Sequence, residues 1–499
     1  MYKNLKYLFI SSLFFVACSE DIKEEVIAED PLSKGSADFT KYVALGNSLT
    51  AGFSDNALFK AGQINAYPNL MAEKFAEVGG GSFTTPFTND NVGGLLAGGL
   101  QIQGPRLVFY NGAPVPLNIA VPGSVPTTEI GVPLTGPFNN MGVPGAKSYH
   151  LVAPNYGNIA GLVNSTANPY FVRFRSSAST TILNDALAQN PTFFSLWIGN
   201  NDVLSYATSG GTGVDQSGNP NPATYGSNDI SDPAMFNSVY NQMIDALTAA
   251  GRKGVVANIP SITSAPFFTT IPYNVRSLSG PQVAALNSGY AAYNGGLQLA
   301  LSNNLITQAE FNARRIEFKQ TPLLPSEDRN GFVIIDSNLT NLSVLGLPSL
   351  RHAVKGEYIL FSSNGVSAQA HLAAGNGTQF PLTNNWVLTR NEVSKINIAT
   401  TAFNNTIKAA AESKGLAFVD INSIMTKLSS TGIRFDNYHM SAQYAQGGVF
   451  SWDGIHITAR ANAYIANQFL EAIERTYGAK FNKFKPQDKP ITYPSFLPN

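Results

Sequence analysis

A serine follows the first apolar run of the chain at a position where it could act as a nucleophile. Residues 46–50 (GNSLT) come directly after Tyr42–Leu45. A serine in a turn from a strand into a helix is held at the C-terminal edge of the sheet, and its own N–H can donate to a developing oxyanion. Serine is also a common helix cap, so this motif alone leaves both interpretations open for Ser48.

A second motif places amide side chains after another apolar run. Residues 199–202 (GNND) follow residues 192–198 (TFFSLWI). Ligand sites of open α/β sheets gather at the C-terminal ends of strands, and an asparagine amide there is a good oxyanion donor. The same residue types favour a simple turn, which is the alternative interpretation.

The third motif, residues 452–456 (WDGIH), precedes the last helical pattern. A carboxylate three residues before a histidine can accept a hydrogen bond from Nδ1–H across a turn. The ring then keeps Nε2 free to act as a base. Alternatively, Asp453 is a helix cap and His456 is unrelated to it.

Taken together, the three motifs resemble blocks I, III and V of the SGNH (GDSL-like) hydrolase family in order and placement. Asn47 stands where the family usually has aspartate, at a position that is not catalytic. The resemblance implies that Ser48 is the nucleophile, His456 the base and Asp453 the residue that orients it. It also implies two oxyanion donors, the Ser48 N–H and the side chain of Asn201.

The family's third oxyanion donor is a glycine N–H in a stretch like N-x-G-x-x-G, and two segments of this chain compete for that position. They are residues 118–123 (NIAVPG) and 140–145 (NMGVPG). Only the second keeps glycine at the third position, which favours Gly145 over Gly123 without excluding the latter.

Buried apolar runs alternate with helical patterns, which predicts a three-layer α/β/α sandwich with a parallel central sheet. The predicted strands are residues 42–45, 192–198, 254–259 and 416–419. The predicted helices are residues 67–78, a helix capped by Asp232 with Pro233 at its first position, 281–303, 389–415 with Thr389 and Glu392 as a capping box, and a last helix capped by Thr458.

The predicted organisation is one hydrolase domain over residues 41–480 with large insertions. The insertions are about 79–140, 205–231 and 305–385, and the last is interpreted as a lid or a substrate-binding subdomain. Residues 1–17 are a predicted signal peptide, 18–40 a flexible tether and 481–499 a C-terminal tail.

The N-terminus resembles the signal of a bacterial lipoprotein. Lys3 and Lys6 precede an apolar run of signal-peptide length, and the small residue Ala17 precedes Cys18, the single cysteine. The resemblance implies cleavage before Cys18 and its acylation, and thus a lipoprotein of a Gram-negative outer membrane. An acidic run at residues 20–25 favours the outer surface over the periplasmic face. The alternative is an ordinary signal peptide with an incidental cysteine.

Composition narrows the function classes. Lys+Arg and Asp+Glu number 32 each and charged residues are 13%, so no basic surface points to nucleic acid. One cysteine permits neither an intramolecular disulfide nor a cysteine-based zinc site. We predict an ester hydrolase without metal or cofactor, acting on a small-molecule, lipid or glycan ester; the sequence does not give its oligomeric state, and a monomer is assumed. The alternative is a non-catalytic glycan- or lipid-binding surface lipoprotein on the same scaffold.

Overall fold

The centre of the domain is a five-stranded parallel sheet. The structure is a computed structural model that describes residues 31–322, 329–363, 366–435 and 437–498; the predicted signal peptide and Cys18 lie outside these residues. The strands are β1 (Tyr42–Gly46), β2 (Asn140–Gly142), β3 (Phe193–Trp197), β4 (Lys253–Ala257) and β5 (Ala417–Val419). Their order in the sheet is β2-β1-β3-β4-β5, the flavodoxin-like order. All five strands are parallel, but β2 is added on one side of β1 and β3 on the other, so the strand order reverses between β1 and β3.

Helices cover both faces of the sheet, which confirms the predicted three-layer α/β/α sandwich. Alternate residues of β1 point into different cores: Val43 and Leu45 into one, Tyr42 and Ala44 into the other. The helices that matter for the site are α1 (Ser48–Ala51), α2 (Tyr67–Ala76), α3 (Asn201–Thr208), α4 (Pro233–Thr248), α5 (Arg390–Lys414), α6 (Ile421–Ser430) and α7 (Ala459–Tyr477). Helices α3, α4 and α5 pack on the first face, and α2, α6 and α7 on the second.

The predicted helix caps are present. The Asp232 side chain accepts from Met235 N at 2.7 Å, the Thr458 side chain accepts from Ala461 N, and Thr389 and Glu392 form the capping box of α5. None of the helices among the described residues is both long and apolar enough to cross a membrane.

Strand β2 is absent from the predicted strands, and its first residue lies at the end of the predicted insertion, about 79–140. It pairs in parallel with β1, with Gly142 opposite Gly46. A Cβ on Gly142 would lie 2.3 Å from Ala51 N, so only glycine lets α1 cross the strand here. Two hairpins also form before it, Leu95–Ala97 with Leu100–Gln103 and Leu107–Tyr110 with Ala113–Pro116.

The large insertion begins earlier than the predicted residue 305. The predicted helix 281–303 is two helices, Gly280–Gly289 and Ala291–Ser302, separated at Tyr290. Both contribute to a core of the insertion itself that also contains Phe318 and Leu350, instead of joining a layer of the sandwich. The short strand Val333–Ile335 contributes to this core and to a second one around Trp386.

The predicted tether and tail are both packed against the domain in the part that the structure describes. Ala37 and Phe39 are each 2% exposed, and Ser33 forms a bridge with Lys480. In the C-terminal segment Phe481 and Tyr493 are buried. The prolines that suggested a free tail therefore belong to an extended segment whose aromatic side chains are docked.

Candidate active site

Ser48 lies directly beyond the C-terminal end of β1. Asn47 is the N-cap of α1, and its side chain accepts a hydrogen bond from Leu49 N at 3.1 Å. The asparagine that replaces the family's aspartate thus caps the helix, a role that either residue type fills well. Ser48 itself is 7% exposed, so its hydroxyl is reached only through the cavities described below.

Ser48, His456 and Asp453 form one continuous chain of hydrogen bonds. Ser48 Oγ lies 2.9 Å from His456 Nε2, and His456 Nδ1 lies 2.9 Å from Asp453 Oδ2. Burial acts to raise the pKa of Asp453, but the contact with His456 and the N–H groups of Ile455 and His456 hold that pKa below its ordinary value. Asp453 is therefore ionised at neutral pH and can accept from Nδ1–H.

A tight loop brings Asp453 and His456 face to face. Asp453 Oδ1 accepts from the backbone N–H groups of Ile455 and His456, each at 2.8 Å. Gly454, between them, has φ +73°, and a Cβ there would lie 3.0 Å from Phe267 N. The backbone N–H of Phe267 donates to the carbonyl of Gly454 at 3.0 Å, which ties the loop to the short helix Pro266–Thr269 that follows β4.

Asp55, in the segment after α1, is a second buried carboxyl that contacts the same loop, and no sequence motif indicated it. Its Oδ1 accepts from Trp452 N at 3.0 Å, and its N–H donates to Ser451 Oγ at 3.0 Å. Among the described residues its Oδ2 has no hydrogen-bond partner. Burial raises the pKa of Asp55 to about 7, and the nearby charge of Asp453 also raises it. Asp55 joins the segment after α1 to the histidine loop.

Phe53 contacts the imidazole ring of His456, and the centroids of the two rings lie 4.6 Å apart. An aromatic side chain at this distance limits rotation of the imidazole and excludes water from one face of it. Sequence reasoning missed Phe53 as well, because a single phenylalanine after the serine motif carries no distinguishing pattern.

Asn201 begins α3 at the end of β3, next to the turn that follows β2. One N–H of its side chain donates to the carbonyl of Ala146 at 2.9 Å. An amide has two N–H donors, so the second remains for a ligand. Asn201 and Ser48 line the same cavity. Ser48 follows β1 and Asn201 follows β3, and the strand order of the sheet reverses between these two strands. Ligands of such sheets bind at this point, outside the C-terminal ends of the strands.

Gly145 lies in that turn, one residue before Ala146, and is exposed with φ +81°. It follows β2, the neighbour of β1, and the carbonyl of Pro144 accepts from Asn168 Nδ2 at 2.8 Å. Gly123 instead lies in an exposed turn after the helix Leu117–Ala120 of the first insertion. The position of the turn at the edge of the site favours Gly145 of the two.

Asp202 holds the segment that follows the Gly145 turn in place through hydrogen bonds to Ser148. It is fully buried and accepts from both Ser148 N at 2.8 Å and Ser148 Oγ at 2.7 Å. Burial raises the pKa of Asp202, and the nearby Lys147 opposes that effect. The acidic residue of the second motif thus has a positioning role, because it holds the segment that receives the hydrogen bond of Asn201.

The other histidines lie away from the hydroxyl of Ser48. His150 stacks on Tyr156 at 4.2 Å, and burial lowers its pKa to about 3, so it supports the turn as a neutral ring. His439 contacts the carbonyl of Thr431 on an exposed hairpin. His352 contacts the carbonyl of Gly331, and His371 stacks on Trp386, both within the large insertion. No group of three or more His, Cys, Asp or Glu side chains in the described part of the chain could hold a metal ion.

Two cavities meet at His456. The first, which we call the inner cavity, has a volume of about 90 Å³ and lies between the strand ends, α6 and α7. Ser48, Asn201 and His456 line it at one end. The second, which we call the outer groove, has a volume of about 890 Å³ and reaches both His456 and Asp453.

The walls of the outer groove come from two insertions. Phe109 belongs to the second hairpin and stacks on Trp452 at 5.0 Å between ring centroids. Phe361 belongs to the large insertion and contacts Tyr444 at 4.9 Å. Arg276 supplies positive charge in the same groove. The predicted role of residues 305–385 in substrate binding is consistent with this wall.

No protein-family model matches the chain, and no curated protein matches it. Two solved structures are similar at low identity. One is an α/β hydrolase enzyme from the metagenome of Lake Arreo, Spain, with 11% identity over 88% of this chain and 96% of that chain, and a TM-score of 0.31. The other is an extracellular lipase from Streptomyces rimosus, with 11% identity over 88% of this chain and 99% of that chain, and a TM-score of 0.30. At these TM-scores the function has to be argued from the site itself.

Proposed function

We propose that the chain is a serine ester hydrolase of the SGNH type, exported and anchored through a lipid on Cys18. The observation that carries the enzymatic part is the chain of contacts from Ser48 Oγ through His456 to Asp453, with both links at 2.9 Å. A serine, a histidine and an ionised carboxylate in this geometry are the parts of an acyl-transfer triad.

The reaction proceeds through an acyl-enzyme. Ser48 Oγ attacks the ester carbonyl carbon while His456 Nε2 takes the hydroxyl proton, and Asp453 stabilises the imidazolium that forms. The C–O bond to the alcohol then breaks, and Nε2 returns the proton to the leaving oxygen. Water attacks the acyl-enzyme next, with His456 again as base, and releases the acid and free Ser48.

The oxyanion of each tetrahedral intermediate is stabilised by N–H donors at the strand ends. We assign this role to Ser48 N–H, the remaining side-chain N–H of Asn201 and the backbone N–H of Gly145. The bond from Asn201 to Ala146 and the bonds from Ser148 to Asp202 fix these donors before substrate arrives. Donors fixed in advance need no reorganisation as charge develops, which is the main source of their effect.

The test is hydrolysis of p-nitrophenyl acetate, butyrate and octanoate by the chain from residue 31 onward, with Ser48→Ala as control. We expect hydrolysis that the substitution abolishes, and labelling by a fluorophosphonate on Ser48 that mass spectrometry locates. Absence of both hydrolysis and labelling in a folded protein would contradict the proposal and favour a non-catalytic glycan- or lipid-binding role.

A further inference from the structure

We propose that the natural substrate is an ester of a medium-chain aliphatic acid, whose acyl chain occupies the inner cavity while its alcohol occupies the outer groove. This inference rests on the proposed esterase function and names its substrate class. It also distinguishes the enzyme from a deacetylase, which needs room for only two carbons.

The inner cavity has one polar end and an aliphatic remainder. Its polar residues gather around the nucleophile, and apart from Tyr464 all belong to the ends of strands or to the histidine loop: Asn47, Ser48, Asn200, Asn201, Ser261 and His456. The opposite wall is formed by α6, α7 and residues 440–450, where the cavity is lined by Ile424, Met425, Leu428, Met440, Val449 and Phe450. None of the Asp, Glu, Lys or Arg residues in the described part of the chain lines it.

An apolar space of this kind is suited to an alkyl chain. Water in it would lack hydrogen-bond partners along the aliphatic wall, and an acetyl group would leave that wall without a contact. Met425, Leu428 and Met440 are themselves packed into a small core of the domain, so the wall is fixed before substrate arrives. Methionine side chains adapt their shape to irregular apolar ligands.

The contacts of the triad decide which half of the ester enters which cavity. Ser48 and Asn201 line the inner cavity and not the outer groove, whereas Asp453 lines only the outer groove. The carbonyl carbon must lie at Ser48 and its oxygen at the oxyanion donors, so the acyl chain continues into the inner cavity. The leaving oxygen must receive its proton from His456, whose ring reaches the outer groove, so the alcohol lies there.

The experiment compares acyl-chain preference in the wild-type protein with that in variants that fill the cavity. Each methylene that enters an apolar site contributes about fourfold to kcat/KM until the cavity is full. We expect kcat/KM for p-nitrophenyl octanoate to exceed that for the acetate by at least about 100-fold. Leu428→Phe and Met425→Phe should each lower the octanoate value about tenfold or more, and should lower the ratio of the octanoate value to the acetate value.

Thr426→Phe is the matched control, because Thr426 is exposed on the same helix and does not line the cavity. It should leave the chain-length profile unchanged. A second readout is independent of turnover: decanoate should displace a fluorescent fatty-acid probe from Ser48→Ala, and Leu428→Phe in that background should weaken the displacement.

The outcomes separate the two proposals. Hydrolysis with acetate as the best substrate, or a profile that Leu428→Phe and Met425→Phe do not shift, overturns the assignment of the cavity and leaves the esterase function intact. Failure of decanoate to displace the probe also overturns it. Displacement that depends on Leu428, without hydrolysis of any ester, supports the acyl site and overturns the esterase function.

Discussion

Asp453 combines an electrostatic and a positional role in one side chain. Its Oδ1 accepts two backbone N–H groups of its own loop, while Oδ2 accepts from Asn56 N and faces His456 Nδ1. The first set of bonds shapes the loop, and the contact with the ring sets the tautomer of His456. An asparagine can keep most of the backbone bonds, but its amide N–H cannot accept from Nδ1–H.

Asp453→Asn should therefore lower kcat for ester hydrolysis by about 10³–10⁴-fold, because the ring would present the wrong tautomer to Ser48. The measurement is steady-state hydrolysis of p-nitrophenyl butyrate, with thermal unfolding to verify that the variant is folded. A loss of less than tenfold would mean that Asp453 serves the loop and not the base.

The raised pKa of Asp55 predicts that the free energy of unfolding falls as the pH rises. Its pKa in the folded state is about 7, above the ordinary 3.8, because the side chain is buried. Between these two values the unfolded chain is ionised while the folded chain keeps the proton, so stability falls as pH rises through this window and is constant above it. At about 1.4 kcal/mol per pH unit, the loss is at most about 4 kcal/mol.

Asp55→Asn should remove this dependence, because an amide does not titrate and its oxygen can still accept from Trp452 N. The free energy of unfolding from urea titrations at pH 4, 5.5, 7 and 8 would measure it. We expect the free energy of unfolding of the variant, relative to that of the wild type, to rise progressively from pH 4 to pH 7. Parallel curves for the two proteins would show that Asp55 does not carry an elevated pKa.

At the scale of elements, the strands with continuous apolar runs were predictable and the short ones were not. β1, β3, β4 and β5 each contain such a run, and the three motifs lie next to β1, β3 and α7, so Ser48, Asp453 and His456 could be proposed together. β2 is three residues long and contains asparagine and glycine, which indicate a turn in the absence of neighbours.

Other parts of the site depend on contacts that no local pattern encodes. Asp55 acts on a loop almost 400 residues away in sequence, as its bond to Ser451 shows with a separation of 396. The inner cavity is lined by aliphatic residues of α6, and a stripe of such residues on a helix predicts only packing. Whether the stripe borders a core or a cavity depends on how residues 438–457 fold over it.

The histidine loop is an element whose shape can be tested through one glycine. Gly454→Ala places a Cβ at φ +73° and 3.0 Å from Phe267 N, so the loop must shift where it contacts the helix Pro266–Thr269. Gly415→Ala is a matched control, because Gly415 has φ +60° at the end of α5 with open space around it. Both should lose about 1–2 kcal/mol of stability, since alanine is disfavoured in the left-handed region.

Only Gly454→Ala should also lower kcat, by about tenfold or more, since displacement of His456 by even 1 Å is costly to catalysis. Chemical denaturation and ester hydrolysis on the same preparations would separate the two effects. Equal activity of the two variants would mean that the Gly454 conformation is not needed to position the triad.

At the scale of the whole molecule, the C-terminal segment joins the sandwich to the first insertion. Tyr493 packs edge-on against Phe59 at 5.1 Å, and the carbonyl of Pro494 accepts from Arg106 Nη2 at 2.6 Å. Arg106 is fully buried, and the residue after it donates from its backbone N–H to the carbonyl of Asp55 at 2.7 Å. The segment thus supports the hairpin that forms one wall of the outer groove.

Deletion of residues 490–499 should cost about 3–5 kcal/mol, because it exposes the pocket of Tyr493 and leaves Nη2 of the buried Arg106 without its two carbonyl acceptors, Pro494 and Ser495. Phe496→Ser is the control within the same segment, since Phe496 is 82% exposed and its replacement should cost little. The free energy of unfolding from urea titrations measures both. If the shortened protein is as stable as the wild type, residues 490–499 do not contribute to stability. The hairpin must then be held in place by the sandwich alone.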